Sequence, residues 1–183
     1  MGVEFNILYW FQGLHNQVLD KIMVFITKLG SAGMFWIVLT VLMLIFCRKN
    51  KKAAWSSALA LIFSYIVVNL VLKNLVARDR PCWIDTSVKM LVHVPKDYSF
   101  PSGHSSASFA SATAIFFYYR KQGIAAYILA ALIAISRMYL FVHFPTDVLG
   151  GTILGIAEGI AAVYLIELIY KKAKIGNLGN VKD

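Results

Sequence analysis

Residues 136–147 read Ser-Arg-Met-Tyr-Leu-Phe-Val-His-Phe-Pro-Thr-Asp, a short polar break between two long apolar runs. Arg137 can bind an anion, and His143 can act as a base or a nucleophile. Asp147 follows four residues later, where it can orient the imidazole. Pro145 suits the first turn of a new helix, because its missing N–H would have no partner there, and the helix dipole favours a negative charge at Asp147. The alternative for this stretch alone is a loop between two membrane helices with a few solvated polar residues.

Apolar runs dominate the composition. The chain has 183 residues, of which 59% are hydrophobic, and a mean hydropathy of +0.68. These values are too apolar for a soluble domain and are typical of a multi-span membrane protein. We therefore predict an all-α fold: a polytopic membrane helical bundle of five to six transmembrane helices, forming one integral-membrane domain over residues 1–183.

Five apolar runs predict the membrane spans, at about 34–47, 53–76, 102–119, 124–141 and 146–170. Residues 4–28 are also apolar, but polar side chains interrupt them, and spanning would place these groups in hydrocarbon. We therefore predict one or two interfacial amphipathic helices within residues 1–30; the alternative is a further span. Residues 175–183 are polar and are predicted to form a disordered tail.

The basic residues indicate the orientation. The formal net charge is +9, but the basic residues cluster in breaks between apolar runs and form no single stripe, so we predict no nucleic-acid partner. One side of the predicted bundle carries ten Lys/Arg and the other eight, of which Lys73, Arg80 and Arg137 are assigned to a site below. The positive-inside rule then predicts a plasma-membrane protein with a cytoplasmic C-terminus, and with loops 77–101 and 142–145 outside.

Small residues predict how the last span packs. Gly151, Gly155 and Gly159 recur there at a spacing of four, and such a row lets two helix backbones approach closely in lipid. Asp147 lies in register with the row, so it should face the bundle. Glu158 lies near the centre of the span, where we favour a protonated or hydrogen-bonded packing role over one in moving protons or substrate.

Two basic residues lie near the end of the second predicted span. Lys73 and Arg80 are seven residues apart, which places both on one face of a helix, where they can clamp an anion. Arg78 and Asp79 should point elsewhere and pair with other groups or water. Taken alone, the two cations are better explained as basic side chains that snorkel to the membrane interface.

The third span begins at Pro101-Ser102-Gly103-His104. Pro and Ser favour a helix start, Gly lets the backbone approach a ligand, and the free N–H groups of the first turn can bind an oxyanion. His104 can donate a proton; the alternative is an ordinary helix cap with an interfacial histidine. The order of the spans brings all three polar stretches to one membrane face, where they supply the donors that a phosphate with developing charge requires.

The three stretches read Lys, six residues, Arg-Pro; Pro-Ser-Gly-His; and Ser-Arg, five residues, His, three residues, Asp. This set resembles the type 2 phosphatidic acid phosphatase superfamily, which also includes soluble bacterial acid phosphatases and vanadium haloperoxidases. The resemblance implies that His143 attacks phosphorus and forms a phosphohistidine, that Asp147 holds the His143 ring, and that His104 protonates the leaving oxygen. It implies no metal or other cofactor, and a phosphoryl site formed by Lys73, Arg80, Ser102, Gly103 and Arg137.

The resemblance also implies a membrane lipid as substrate. The short chain is similar to compact bacterial lipid phosphatases, and among these we favour an undecaprenyl pyrophosphate phosphatase that acts at the outer face. The alternative is a phosphatidylglycerophosphate or phosphatidic acid phosphatase of broad specificity, since that group shares Gly103 where several dedicated undecaprenyl pyrophosphate phosphatases have Asp. A further alternative is a non-enzymatic lipid-binding or lipid-translocating protein, against which the retention of His104, His143 and Asp147 argues. The sequence carries no prediction of an oligomeric state.

Overall fold

The computed structural model describes residues 2–47 and 51–179, with side chains up to residue 174, and in this part of the chain all regular secondary structure is helical. This confirms the predicted fold class. In chain order the helices are α1 (Val3–Gly13), α2 (Gln17–Gly30), α3 (Met34–Phe46), α4 (Lys52–Ser64), a π-helical segment (Tyr65–Leu72), α5 (Lys73–Val76), α6 (Pro81–Ile84), α7 (Gly103–Tyr118), α8 (Arg120–Tyr139) and α9 (Pro145–Gly179).

Helix α7 is the centre of the bundle and packs against α4, α8 and α9. Its 16 residues make a helix about 24 Å long, and most of its serine and alanine side chains are buried. Four helical stretches around it are long and apolar enough to cross a membrane: Gln17–Phe46, Lys52–Ile84, Arg120–Tyr139 and Pro145–Lys174. The five predicted spans are therefore all helical, and the third, which forms α7, is enclosed by the others.

The first span is longer than predicted. The sequence placed its start near Met34, but α2 leads into α3 through a kink at Ser31–Gly33, where Ala32 and Gly33 adopt φ angles of 50° and 65°. Asp20, one of the polar residues that argued against a span, has a partner in α8, and so does Thr27. Tyr139 Oη donates to Asp20 Oδ1 at 2.5 Å, and Arg137 Nη1 donates to the Thr27 hydroxyl. The interfacial placement of the N-terminal residues remains a prediction for α1.

Two helix ends also differ from the prediction. Helix α8 begins at Arg120, four residues before the predicted start, because the single residue Tyr119 links it to α7 and leaves no room for a loop. Helix α9 continues to Gly179, into the segment 175–183 that was predicted to be a disordered tail. The run of lysines and an alanine at 171–174 favours helix, so nothing stops α9 where its apolar run ends. Residues 180–183 lie outside the described part of the chain.

The glycine row of α9 packs directly on the backbone of α7, as predicted. A Cβ atom at Gly151 would lie 2.4 Å from Ser102 O, and one at Gly155 would lie 2.4 Å from Ser106 O. Farther along, a Cβ at Gly159 would meet the Thr113 side chain at 2.6 Å. The two helices can approach this closely only because these positions carry no side chain. The contact holds the start of α7 beside the start of α9.

Glu158 lies in the same interface and is buried. Ser106 Oγ donates to Glu158 Oε2 at 2.7 Å, and Ser106 Oγ lies 2.6 Å from Ser64 Oγ of α4. The carboxyl group therefore belongs to a polar link between α4, α7 and α9, which fits the hydrogen-bonded packing role that the sequence favoured.

We predict that Gly155→Ala destabilises the fold, because the added methyl group would meet a backbone carbonyl that no rotamer change can move. Overpacking of this kind costs about 1–3 kcal/mol, and thermal unfolding in detergent should show a fall in Tm of roughly 2–12 °C. Gly13→Ala is the control, since nothing lies within 4 Å of a Cβ atom there. Equal melting temperatures for the two variants would contradict the close α7–α9 contact.

Candidate active site

Three cations converge at the end of the bundle where α7 and α9 begin. Lys73 comes from α5, Arg80 from the residue before α6, and Arg137 from the last turn of α8. Their exposed fractions are only 5%, 2% and 6%. Buried positive charges need negative or polar partners, so the cluster is suited to an anion.

Lys73 and Arg80 lie close together, but not for the reason that the sequence predicted. They do not share a helix face, because the helix ends at Val76 and Ala77 takes a left-handed conformation with a φ angle of 47°. Both side chains instead bind Asp97 from the loop before α7. Lys73 Nζ donates to Asp97 Oδ2, and Arg80 Nη2 donates to Oδ1 at 2.9 Å.

Asp97 is therefore the anion that this pair of cations holds. Its side chain is 53% exposed, whereas the two cations are buried. Partial burial raises the pKa of the carboxyl group, but Lys73 and Arg80 outweigh that effect and lower the pKa to about 2. Asp97 thus carries its charge at any pH at which the protein would work.

His143 lies in the loop between α8 and α9 and is buried. Arg80 Nη1 lies 3.1 Å from His143 Nε2 and also donates to Val142 O at 2.8 Å. A guanidinium group can only donate, so Nε2 is the acceptor and Nδ1 carries the proton. Burial, followed by the charges of Arg80, Arg137 and Lys73, holds the pKa of His143 well below its ordinary value. The ring is therefore neutral, with its lone pair directed toward the cations.

Asp147 lies in the first turn of α9, which begins at Pro145 as predicted. Its carboxylate is fully buried, and its Oδ2 lies 3.5 Å from His143 Nδ1. The same oxygen accepts the Ser99 hydroxyl and, at 2.8 Å, the Phe144 N–H. The carboxylate faces the protonated ring nitrogen, at a separation that can tighten when a substrate binds.

The start of α7 completes this end of the bundle. The Ser102 N–H donates to the Asp147 carbonyl at 3.0 Å, and the Ser102 hydroxyl accepts from Ser105 N at 3.3 Å. Gly103 and His104 lie in the first turn, where backbone N–H groups have no intrahelical acceptor. A Cβ atom at Gly103 would meet Asn69 Oδ1 of the π-helical segment at 2.9 Å, a contact that a small movement of the Asn69 side chain would relieve.

His104 packs against α2, with its Cδ2 atom 2.8 Å from where a Cβ at Gly30 would lie. Among the described residues, buried His104 Nε2 and Arg137 Nε have no hydrogen-bond partner. Arg137, His143 and Lys73 lie close enough to act electrostatically on the His104 ring. Two unpaired donors beside a cationic cluster are what a bound oxyanion would satisfy.

The structure thus places every predicted site residue at one end of the bundle, and it adds three more. Asp97 and Ser99 come from the loop that was predicted to be outside. Arg78 was predicted to point away from Lys73 and Arg80 and to pair with another group, and that group is Asp147 in the same site: Arg78 Nη1 donates to Asp147 Oδ1 at 2.6 Å. Asp97 and Ser99 lie within five residues of His104 or Ser102, which is the only signal that could have suggested them. Within the described residues, no group of three or more His, Cys, Asp or Glu could hold a metal ion.

Comparisons with known proteins agree with this architecture. The chain is 34% identical over 157 residues to an undecaprenyl-diphosphatase of Sulfolobus acidocaldarius, covering 84% of this chain and 75% of that one. The crystal structure of LpxE from Aquifex aeolicus matches with a TM-score of 0.78 and 26% identity, covering 90% of this chain and 96% of that one. A PAP2-type phosphatidylglycerolphosphate phosphatase from Bacillus subtilis matches with a TM-score of 0.68 and 30% identity, covering 91% and 84%.

The family model of the PAP2 superfamily matches residues 53–171. This range contains the cations, the start of α7, and the loop that carries His143. The match covers more than half of the chain, and the protein therefore belongs to the PAP2 superfamily.

Proposed function

We propose that this protein hydrolyses the phosphate or pyrophosphate headgroup of a membrane lipid, and that its preferred substrate is undecaprenyl pyrophosphate, which it converts to undecaprenyl phosphate. One observation carries the proposal: the neutral His143 ring directs its Nε2 lone pair into a cluster of three buried cations. A nucleophile of this kind requires an electrophile that is also an anion, and a phosphoryl group is both.

The chemistry follows from the positions of the side chains. The phosphoryl oxygens are bound by the cations, by Ser102 and by the free N–H groups at Gly103, which stabilise charge as it develops. His143 Nε2 attacks phosphorus and forms a P–N bond while the P–O bond to the leaving group breaks. His104 donates a proton to the leaving oxygen, and Asp147 stabilises the positive charge on the His143 ring. Water then attacks the phosphohistidine, releases phosphate and restores the imidazole.

The relatives support two different classes of lipid substrate. The Sulfolobus relative is described as an undecaprenyl-diphosphatase, which supports a polyprenyl pyrophosphate. The Bacillus structure is described as a phosphatidylglycerolphosphate phosphatase, which supports the alternative of phosphatidylglycerophosphate or phosphatidic acid. Gly103 agrees with the alternative, although the tight contact that a Cβ atom there would make with the Asn69 side chain also favours glycine at this position.

The proposed orientation puts the site on the extracytoplasmic face. The end of the bundle opposite His143 carries the Lys52–Glu167 ion pair, and Arg120, Lys121 and the lysines of α9 lie at that end as well. The positive-inside rule assigns this basic end to the cytoplasm, and the C-terminus with it.

We predict that purified protein releases phosphate from undecaprenyl pyrophosphate in the presence of a chelator. His143→Ala should abolish turnover because it removes the nucleophile. Asp147→Asn should lower kcat on the order of 10²–10⁴-fold, since the amide cannot hold the ring in its reactive tautomer. Asp79→Asn is the matched control, since Asp79 is exposed.

Parallel assays with phosphatidylglycerophosphate and phosphatidic acid rank the substrates. If kcat/KM is higher on either of these lipids, that lipid is the preferred substrate in place of undecaprenyl pyrophosphate. No turnover on any lipid phosphate would favour the non-enzymatic lipid-binding alternative. Turnover by His143→Ala equal to that of the wild type would rule out His143 as the nucleophile.

We further predict that Asp97→Asn strengthens inhibition by inorganic phosphate. The Asp97 carboxylate occupies Lys73 and Arg80, so a phosphate must displace it, and removing its charge removes the competitor. The inhibition constant should fall on the order of 10-fold, which corresponds to about 1.4 kcal/mol. Asp85→Asn, in the same loop but bonded to Tyr9 and Ser87, should leave it unchanged. A higher inhibition constant in Asp97→Asn would show that Asp97 orients the cations and does not compete.

A further inference from the structure

Arg78 connects the catalytic carboxylate to the first helix of the protein. Its Nη1 atom donates to Asp147 Oδ1 at 2.6 Å and to Thr146 Oγ1 at 2.7 Å. Its Nη2 atom donates to Glu4 Oε2 of α1 at 2.6 Å. The guanidinium plane also stacks over the Phe144 ring, 4.1 Å from its centroid. One side chain therefore contacts three of the four residues that follow His143.

The two oxygens of Asp147 have separate partners. Oδ2 faces the His143 side and accepts from Ser99 and Phe144 N. Among the described residues, Arg78 is the only side chain that donates a hydrogen bond to Oδ1. Two fixed oxygens define the plane of a carboxylate, so Arg78 sets the rotation that aims Oδ2 at His143 Nδ1.

Glu4 holds Arg78 in place from the other side. Its Oε1 atom accepts from Thr146 Oγ1 at 2.6 Å and from Thr146 N at 3.2 Å. Burial raises the pKa of Glu4, but the bonds from Thr146 and Arg78 outweigh this effect and keep the pKa below its ordinary value. Glu4 is therefore charged at neutral pH, and it clamps α1 to both Arg78 and the first turn of α9.

We propose that Arg78 is a positioning residue for the reaction: it fixes the Asp147 carboxylate and, through it, the His143 ring, while Glu4 makes helix α1 part of this support. The inference rests on the proposed phosphatase function. It assigns to α1 a role in the chemistry that neither its sequence nor the three phosphate-binding motifs indicate.

A simple surface ion pair does not explain the arrangement. Arg78 is 28% exposed, and an exposed ion pair with Glu4 would contribute little to the stability of the fold. Asp147, however, has no solvent exposure, so the Arg78–Asp147 bond joins a reachable cation to a buried carboxylate beside the nucleophile. Loss of this bond should misalign the Asp147 carboxylate and the His143 ring. A displacement near 1 Å at a reacting group lowers the rate on the order of 10²-fold.

The test compares Arg78→Ala with Arg120→Ala in the detergent-solubilised full chain. Arg120 is the matched control because it also stacks on a phenylalanine, 4.4 Å from the Phe116 centroid, but lies at the opposite end of the bundle. Arg78→Ala should lower kcat on the order of 10²-fold with little change in KM. Arg78→Lys should recover part of the loss, since an ammonium group can reach Asp147 but cannot also span Thr146 and Glu4. Glu4→Ala should cause a smaller fall than Arg78→Ala.

The pH profile separates positioning from general damage to the fold. The acid limb of kcat/KM reports the protonation of His143, and in the wild type it should lie below 6.5 because the pKa of His143 is lowered. In Arg78→Ala the uncompensated Asp147 charge should favour protonated His143 and move this limb to higher pH. The other charged groups that act on the ring are the same in both proteins: Lys73, Arg80, Asp97 and Arg137.

The outcomes are distinguishable from failure of the proposed function. If the wild type is active and His143→Ala is not, the phosphatase proposal stands whatever Arg78 does. Wild-type kcat and an unmoved acid limb in Arg78→Ala would overturn the positioning role, and so would an equal loss in Arg120→Ala. If Arg78→Ala does not fold, Arg78→Lys decides: full activity with an unmoved acid limb overturns the role, and a partial loss with a moved limb supports it.

Discussion

The backbone contact between α7 and α9 is the constraint on which the rest of the structure depends. The absence of side chains at Gly151 and Gly155 lets the two helices touch along Ser102 and Ser106. Because they touch, the Ser102 N–H reaches the Asp147 carbonyl. This bond joins the start of α7, which carries the free N–H groups, to the start of α9, which carries the Asp147 carboxylate. A side chain in this row would separate the proposed oxyanion donors from the proposed nucleophile.

The second feature of the site is an excess of buried positive charge. Lys73, Arg80 and Arg137 are almost fully enclosed at one end of an apolar bundle, where each charge carries a large desolvation cost. Asp97 offsets part of this cost in the structure as it stands, and a phosphoryl group would offset more of it on binding. Burial and the same charges keep His143 neutral, which its proposed role as nucleophile requires. Anion binding and the proposed activation of His143 thus depend on one enclosed cluster of charge.

Much of this was predictable, and the reasons for the exceptions are physical. Periodicity and hydropathy located the apolar runs. The spacing of His143 and Asp147 around the start of α9 is local in the chain, so it can be read directly from the sequence. Arg78, Asp97 and Ser99 act across 17 to 74 residues of chain, through loops whose path no spacing rule gives. The Gly-Ser-Ala-Gly run at residues 30–33 marks the kink in the sequence itself. The continuation of the apolar stretch into α2 was hidden, because polar residues such as Asp20 argued against a span until the partner of Asp20 in α8 was known. Lys73 and Arg80 were correctly paired, but the reason given, a shared helix face, was wrong.

The central claim is that His143 becomes covalently phosphorylated during turnover. The most direct measurement is to mix the enzyme with undecaprenyl pyrophosphate, quench in alkali within the first turnover, and map the phosphorylated peptide by mass spectrometry. The account predicts an acid-labile phosphoryl group on His143 that is absent from His143→Ala. Continued release of phosphate with no phosphorylated intermediate, or a phosphoryl group on another residue, would contradict it.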